Sequence, residues 1–346
     1  MRPVLKLAFA ALGLCSVAVP VQAEDLNFSS WGGSYQDAIR KAWLEPFGKS
    51  TGVKIVEDTN PEVAKIKAMI DTNTVEWDVV TENGVRLARG ISLGLFEPVG
   101  KMVDVSHVIA GARNDYGVPS EIFSTNLAFS TKAFPDGKPQ PKSFKDFWDV
   151  EKFPGKRTMQ DDPSAMLEAA LLADGVPLDK VYSVLSTKEG LDRAFAMVAK
   201  IKPHITIFWH NGAQPVQLLG SGEVVMAIGW NGRFQSGIDD GLPIRMSWDQ
   251  IIANIGYFTI PKKAPHKDTA LKFLSYMVGG EPQSRFSNYV AYGPVTEDAW
   301  PFIDDKRKER LPSTPERIKN ALFVDYAWWG QNADKLTERY TQLLQQ

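Results

Sequence analysis

The chain has 346 residues, 39 basic and 41 acidic side chains, and a formal net charge of −2. That length accommodates two domains with cores of their own, and the weakly acidic balance does not suit nucleic-acid binding, which needs a basic stripe. A single cysteine, Cys15, leaves no internal disulfide and no thiolate metal site.

The first segment reads as an export signal. Arg2 and Lys6 place positive charge at the N-terminus, and an apolar run follows from Leu5 to Val19. Val21-Gln22-Ala23 then offers small residues where a signal peptidase reads. The run is too short for a permanent anchor, so residues 1–23 are expected to be a signal peptide cleaved after Ala23. Cleavage removes Cys15 and takes Arg2 and Lys6, which moves the formal charge from −2 to −4. Lipid attachment wants a small residue before the cysteine; Leu14 stands there and favours free release. The periplasm is the expected location.

Leu26 to Ser30 alternates like a first strand, and Trp31-Gly32-Gly33-Ser34 forms a glycine-rich turn. Tyr35, Ala38, Ile39, Ala42, Trp43 and Phe47 recur at helical spacing. Ser34 is placed to cap that helix with Asp37 three residues on, and Pro46 and Gly48 mark its close. Strands are expected at 53–57 and 77–80, with a helix at 62–71 between them. Strand and helix in alternation predict a mostly parallel sheet covered by helices. Three prolines between 135 and 141 mark a loop. Helices are expected at 144–150, 166–172, 190–200, 267–278 and 334–344, and strands at 224–228 and 256–260.

Several chemistries have no sequence support. His107, His204, His210 and His266 show no zinc spacing, and no cofactor is expected. No G-x-S-x-G elbow occurs. Gly48-Lys49-Ser50 resembles the end of a phosphate loop, but Trp43 stands where the first glycine belongs. Asp161 and Asp162 are adjacent, and on an extended chain they point to opposite sides, which does not suit a catalytic dyad.

The ordered features resemble a known family. They are Ser29-Ser30-Trp31-Gly32-Gly33-Ser34-Tyr35, Trp77-Asp78-Val79-Val80, Gly94-Leu95-Phe96-Glu97-Pro98 and Gly222-Glu223-Val224. Trp230-Asn231-Gly232-Arg233, Ile260 to Pro265, Tyr292-Gly293-Pro294 and Trp328 to Asn332 follow. Together they resemble the bacterial extracellular solute-binding proteins of ABC importers, in the spermidine/putrescine-binding branch. The resemblance implies an α/β, two-lobe periplasmic binding protein fold (type II-like), each lobe a mixed sheet flanked by helices. It places lobe one at 24–126 plus 255–298 and lobe two at 127–254 plus 299–346. The ligand would lie in the cleft between lobes that close by a hinge motion. Its partners would be a small solute and ABC permease subunits in the inner membrane, and a monomer suits a closing cleft.

The resemblance also implies site residues. Ser30 and Trp31 fall in the first ligand-contacting loop; a helix N-terminus beside glycines receives an accepting group there, or Gly32-Gly33 simply makes a turn. Glu82 and Asn83, just past the strand ending at Val80, fall in the second, where a carboxylate takes an ammonium or sits in a solvated turn. Asp162 matches an acid that faces an amine, and Trp230 and Tyr292 match aromatic walls; a turn carboxylate and core packing are the alternatives. Arg233 either grips a ligand carboxylate or pairs within its lobe. Trp248 and Asp249 are weaker candidates. Gly256, Asn254 and Ala165 stand where polyamine binders carry an acid, a tryptophan and a second acid. The function expected is capture of a small nitrogenous solute, polyamine-like or amino-acid-like. The missing carboxylates point to a smaller one, an amino-acid-like or other nitrogenous compound, with Arg233 holding an anionic end. The other readings are a binder of a small carboxylate-bearing solute, a secreted carboxylate-dependent enzyme, and a receptor-coupled sensor. No catalytic residue is assigned.

Overall fold

The computed structural model describes residues 25–346; the export-signal reading, with Cys15, lies outside them. Ten strands form one sheet: β1 (Asp25–Ser30), β2 (Lys54–Thr59), β3 (Val79–Asn83), β4 (Val118–Ser130), β5 (Arg157–Gln160), β6 (Ile205–Trp209), β7 (Met226–Trp230), β8 (Ile244–Met246), β9 (Ile251–Thr259) and β10 (Ala321–Phe323). The main path runs β2-β1-β3-β9-β4-β7-β5-β6, with β8 on β4 and β10 on β9. β1, β2 and β3 are parallel, as are β5, β6 and β7. The long antiparallel pair β4 and β9 joins these two parallel blocks.

Two main cores lie on either side of that pair. One gathers Phe28, Trp43, Phe96, Phe258 and Phe286; the other gathers Phe147, Met159, Leu171, Ile228 and Trp329. β4 enters the first core at Phe123 and the second at Leu127, and β9 does so in reverse at Ile255 and Ile252. A third, smaller cluster holds Leu219, Phe234 and Ile244. The terminal helix Tyr326–Gln345 belongs to the second core but also packs on helix Gly84–Ser92. The 3-10 segment Glu297–Phe302 packs on helix Gly280–Tyr289.

Three sequence expectations change. The first helix does not stop at Pro46: it runs from Gly33 to Thr51 with a π-helical stretch at Arg40–Leu44 and ends at Gly52, φ 79°. A wider turn just before Pro46 eases the clash of the ring with the preceding turn, where the proline offers no N–H in any case. Ser34 does not cap this helix; Gly32 stands at the cap position, with φ 65°. The strand expected at 77–80 is β3, which runs on to Asn83, so Glu82 and Asn83 are its last residues rather than a loop beyond it.

Candidate functional site

A cleft of about 400 Å³ lies between the two cores, lined from both sides. It lies within the usual size range of small-molecule sites. Its floor is aromatic. Trp209 meets Trp230 edge-on with centroids 5.2 Å apart, Trp230 meets Phe123 at 6.3 Å, and Phe123 meets Tyr292 at 5.5 Å. Tyr292 lies 6.0 Å from Tyr35, so a run of rings leads from Trp209 into the first core.

One wall is built around Glu82 near the end of β3. The strand buries the residue to 2 % exposure, and neither carboxylate oxygen has a hydrogen-bond partner. Burial holds its pKa well above the ordinary carboxylate range, opposed by Arg86. Asn83 caps the following helix by accepting from Arg86 N at 2.9 Å, which sets Arg86 one turn in. The guanidinium then donates to Glu62 at 2.5 Å and lies over the Trp31 ring, 4.6 Å from its centroid. Burial works against its charge, but Glu82, Glu62 and Asp162 outweigh that and raise its pKa. Trp31 is oriented by its own indole N–H, which donates to Thr81 O at 3.1 Å.

The opposite wall carries Asp161 and Asp162, in a bend after β5. The Ser164 amide donates to Asp162 Oδ1 at 2.8 Å. The two acids do not lie on an extended chain, the condition of the sequence expectation, but in this bend, and both line the cleft. Burial raises both pKa values; on Asp161 the Asp162 charge adds to the rise, and on Asp162 Arg86 works against it.

At the far end, Arg233 reaches across the cleft from helix Asn231–Asp239. Its Nη1 donates to Ser34 Oγ at 3.0 Å and Nη2 to Gly32 O at 3.3 Å, while the buried Nε has no partner. A Cβ at Gly33 would lie 3.0 Å from Nη1, and Gly33 has φ 59°, so the glycine turn sets up this approach. Asn231 ties the same helix to both sides, accepting from Ser124 N at 2.9 Å and donating to Ala291 O at 2.5 Å. Tyr292 is 4 % exposed, and burial raises its pKa, with Arg233 pulling it back.

Glu121 on β4 is also on the cleft surface. It is 2 % exposed; Oε1 accepts from Tyr35 OH at 2.8 Å and Oε2 has no partner. Burial pushes its pKa up to about 7, against the pull of the nearby Ser120 and Tyr35 hydroxyls.

Of the residues singled out from sequence, Trp31, Glu82, Asn83, Asp162, Trp230, Arg233 and Tyr292 line this cleft. Ser30 does not: it is fully buried at the end of β1, where its carbonyl accepts from Asn60 N at 2.9 Å. Trp248 and Asp249 lie off the cleft, Trp248 with the Arg317 guanidinium 3.7 Å from its ring centroid. Arg86, Glu121 and Tyr35 were not singled out from sequence. Glu82 and Arg86 at i, i+4 across an Asn cap were the available signal for the first; a lone carboxylate in Val118 to Phe123 was the only sign of the second. Among the described residues no group of three or more His, Cys, Asp or Glu is placed to hold a metal ion, and no helix is long and apolar enough to cross a membrane.

Two α/β halves joined by long shared strands, with a charged and aromatic cleft between them, make a receptor for small solutes. The chain belongs to the bacterial extracellular solute-binding protein family, whose family model matches residues 42–310. It is the substrate-binding component of an ABC transporter, from a family that binds small solutes and passes them to membrane permease subunits. It is 35% identical over 337 residues to the gamma-aminobutyric acid-binding protein of Pseudomonas aeruginosa, covering 96% of this chain and 93% of that one. The spermidine/putrescine-binding periplasmic protein of Escherichia coli is 24% identical over 310 residues, 84% of this chain and 83% of that one. The solved structure of the binding protein MotA from A. tumefaciens B6, in complex with glucopine, matches with TM-score 0.88 and 32% identity over 92% of this chain and 99% of that chain. The two-lobe periplasmic binding protein fold is therefore the fold of this chain.

Proposed function

We propose that this protein captures a small zwitterionic solute, an amino acid whose cationic nitrogen and carboxylate lie at opposite ends of a short chain. The carrying observation is that one cleft holds both Glu82, a buried carboxylate with two unpartnered oxygens, and Arg233, a guanidinium with a free Nε. The cleft carboxylates, Glu82, Asp162 and Glu121, receive the ammonium, Arg233 the carboxylate, and the rings of Trp31, Trp230 and Tyr292 enclose the carbon chain. Asn83 holds Arg86 in place beside them. The 35% identity to a gamma-aminobutyric acid-binding protein supports the same class.

The solute is released unchanged to the permease, with no turnover. The protein acts as a monomer in the periplasm after cleavage following Ala23. Lobe one is 24–126 plus 255–298 and lobe two 127–254 plus 299–346; the start of the last segment, 299–302, rides on lobe one through its packing on helix Gly280–Tyr289.

Titration calorimetry with γ-aminobutyrate, putrescine and butyrate tests this. The zwitterion is expected to bind tightest, and Arg233→Ala to weaken it by about a hundredfold, the loss typical of one partner of a buried charge pair. Putrescine binding more tightly, with Arg233→Ala without effect, would overturn it. A diamine is the second reading, favoured by one observation: Glu62, Glu82, Glu121, Asp161 and Asp162 outnumber Arg86 and Arg233 on the cleft surface.

A further inference from the structure

Glu121 is the least expected charge in the cleft. β4 pairs with β9 in register at Val118↔Phe258 and Pro119↔Tyr257, then slips so that Glu121 faces Gly256. The extra residue, Ser120, makes a bulge, and a bulge re-aims the side chain that follows it. The carboxylate that results lies over Gly256. A Cβ built there would fall 2.1 Å from Glu121 Oε1 and 2.8 Å from Oε2. Any side chain at 256 therefore displaces this carboxylate; bulge and glycine together make room for it.

The surroundings of Glu121 suit a cation. Tyr35 takes one oxygen by donating to it. Tyr292 and Tyr326 are the other titratable groups facing it, both neutral phenols. Arg233 stands close enough to act on Tyr35 and Tyr292, but its hydrogen bonds go to Ser34 and Gly32 and not to Glu121. Phe123 lies two residues along the strand on the same face and also lines the cleft. Oε2 is thus a buried acceptor with no protein cation bonded to it, beside aromatic faces that favour a positive charge.

We infer that Glu121, seated over Gly256 by the β4 bulge, is a specificity-determining residue of the cleft: it receives a cationic nitrogen of the solute and gives up a proton as it does so. The step balances simply. The solute arrives as R–NH3+, the carboxylic acid of Glu121 loses its proton to solvent, and carboxylate and ammonium pair in the cleft. Because burial has pushed its pKa up to about 7, Glu121 is about half protonated at neutral pH. Binding requires the ionised form, so affinity falls by about tenfold per unit as pH drops below about 7 and is flat above it.

This inference rests on the reading of the cleft as an amine-bearing solute site, and its test keeps the two apart. Purified protein is titrated by calorimetry with n-butylamine, γ-aminobutyrate, putrescine and butyrate, in buffers of different ionisation enthalpy, from pH 6 to pH 8. The amine-bearing compounds should release a proton on binding, more at pH 6 than at pH 8. Glu121→Gln, which preserves shape, should lower that release by the Glu121 share, leaving what Glu82 and Asp162 contribute, and weaken those compounds by about tenfold or more, the scale of a hydrogen bond to a charged group. Gly256→Ala should produce the same loss with Glu121 intact in sequence, and the melting temperature of each variant shows whether it is folded. If putrescine binds more tightly than γ-aminobutyrate but Glu121→Gln still lowers proton release and affinity, the zwitterion reading falls and the role of Glu121 stands. If γ-aminobutyrate binds best and Glu121→Gln changes neither affinity nor proton release, the role of Glu121 falls alone. If no amine-bearing compound binds at millimolar concentration, both fall.

Discussion

Glu121 and Glu168 are the same residue in nearly the same state, at two places with different jobs. Both are at least nine-tenths buried, both keep Oε2 without a hydrogen-bond partner, and burial pushes both pKa values up to about 7. They differ in what surrounds them. Glu168 sits in helix Met166–Ala173 inside the second core, where Oε1 accepts from Trp329 Nε1 at 2.6 Å and from Tyr182 OH at 2.7 Å. It staples that helix to the terminal helix Tyr326–Gln345. Glu121 has a single donor and faces a cavity of about 400 Å³. A shifted pKa is therefore common to structural and binding carboxylates; an unpartnered oxygen on a residue that lines the cleft between two halves of the molecule is what separates them.

The largest expected effect sharpens this contrast on the structural side. Glu168→Leu leaves the Trp329 indole N–H and the Tyr182 hydroxyl in the core without their acceptor. It should cost about 4 kcal/mol of stability, at 1–3 kcal/mol for each stranded group. Urea denaturation measures it. Solute affinity per folded molecule should stay at the wild-type value, and a comparable loss of affinity would break the division of roles.

The next effect uses the shared pKa. An unfolded glutamate titrates near 4.5, whereas both of these titrate at about 7 when folded. Between those values the folded state holds protons that the unfolded chain has released. Stability is therefore fully present below about 4.5, falls as pH rises through the window, and levels off above about 7. Each group contributes on the order of 3 kcal/mol to that fall. Denaturation midpoints from pH 4 to pH 8 should show a slope that Glu168→Gln and Glu121→Gln each reduce. Saturating a cationic solute should remove only the Glu121 share, because only that carboxylate gains a partner. Equal effects of solute on both variants would erase the distinction between them.

The same contrast explains what could be read from sequence. The helices at 62–71, 166–172 and 267–278 and the strand at 53–57 follow apolar periodicity, and the structure has elements at each. β4 did not announce itself. Its thirteen residues are all buried, yet Ser120, Glu121, Ser124, Thr125 and Asn126 interrupt any apolar run. It is covered on both faces and carries part of the cleft, so neither alternation nor a greasy stretch marks it. For the same reason Glu121 was invisible, since its meaning comes from a bulge and a glycine on another strand. Glu82, Trp230 and Arg233 could be singled out because a family resemblance supplied the register. Arg86, one helical turn beyond Glu82, lies on a helix, Gly84–Ser92, that its short, arginine-rich sequence does not reveal.

The smallest effect tests the one residue whose role changed most between sequence and structure. Read as a helix cap, Ser34 would stabilise its helix, and Ser34→Ala would cost about 1 kcal/mol of folding stability with no change in binding. In the structure its hydroxyl accepts from Arg233 Nη1 at 3.0 Å, across the cleft, and the cap position is Gly32. Removing it takes one acceptor from a guanidinium that keeps Gly32 O as another. The loss is that of one hydrogen bond to a charged group, at the low end of its range because Gly32 O remains, about 1.5 kcal/mol or roughly tenfold in Kd. It should appear in the affinity for carboxylate-bearing solutes while the urea midpoint of the solute-free protein moves little. It should also be non-additive with Arg233→Ala, since without the guanidinium Ser34 has lost its partner. An additive double mutant would place Ser34 outside the Arg233 unit and return it to the helix.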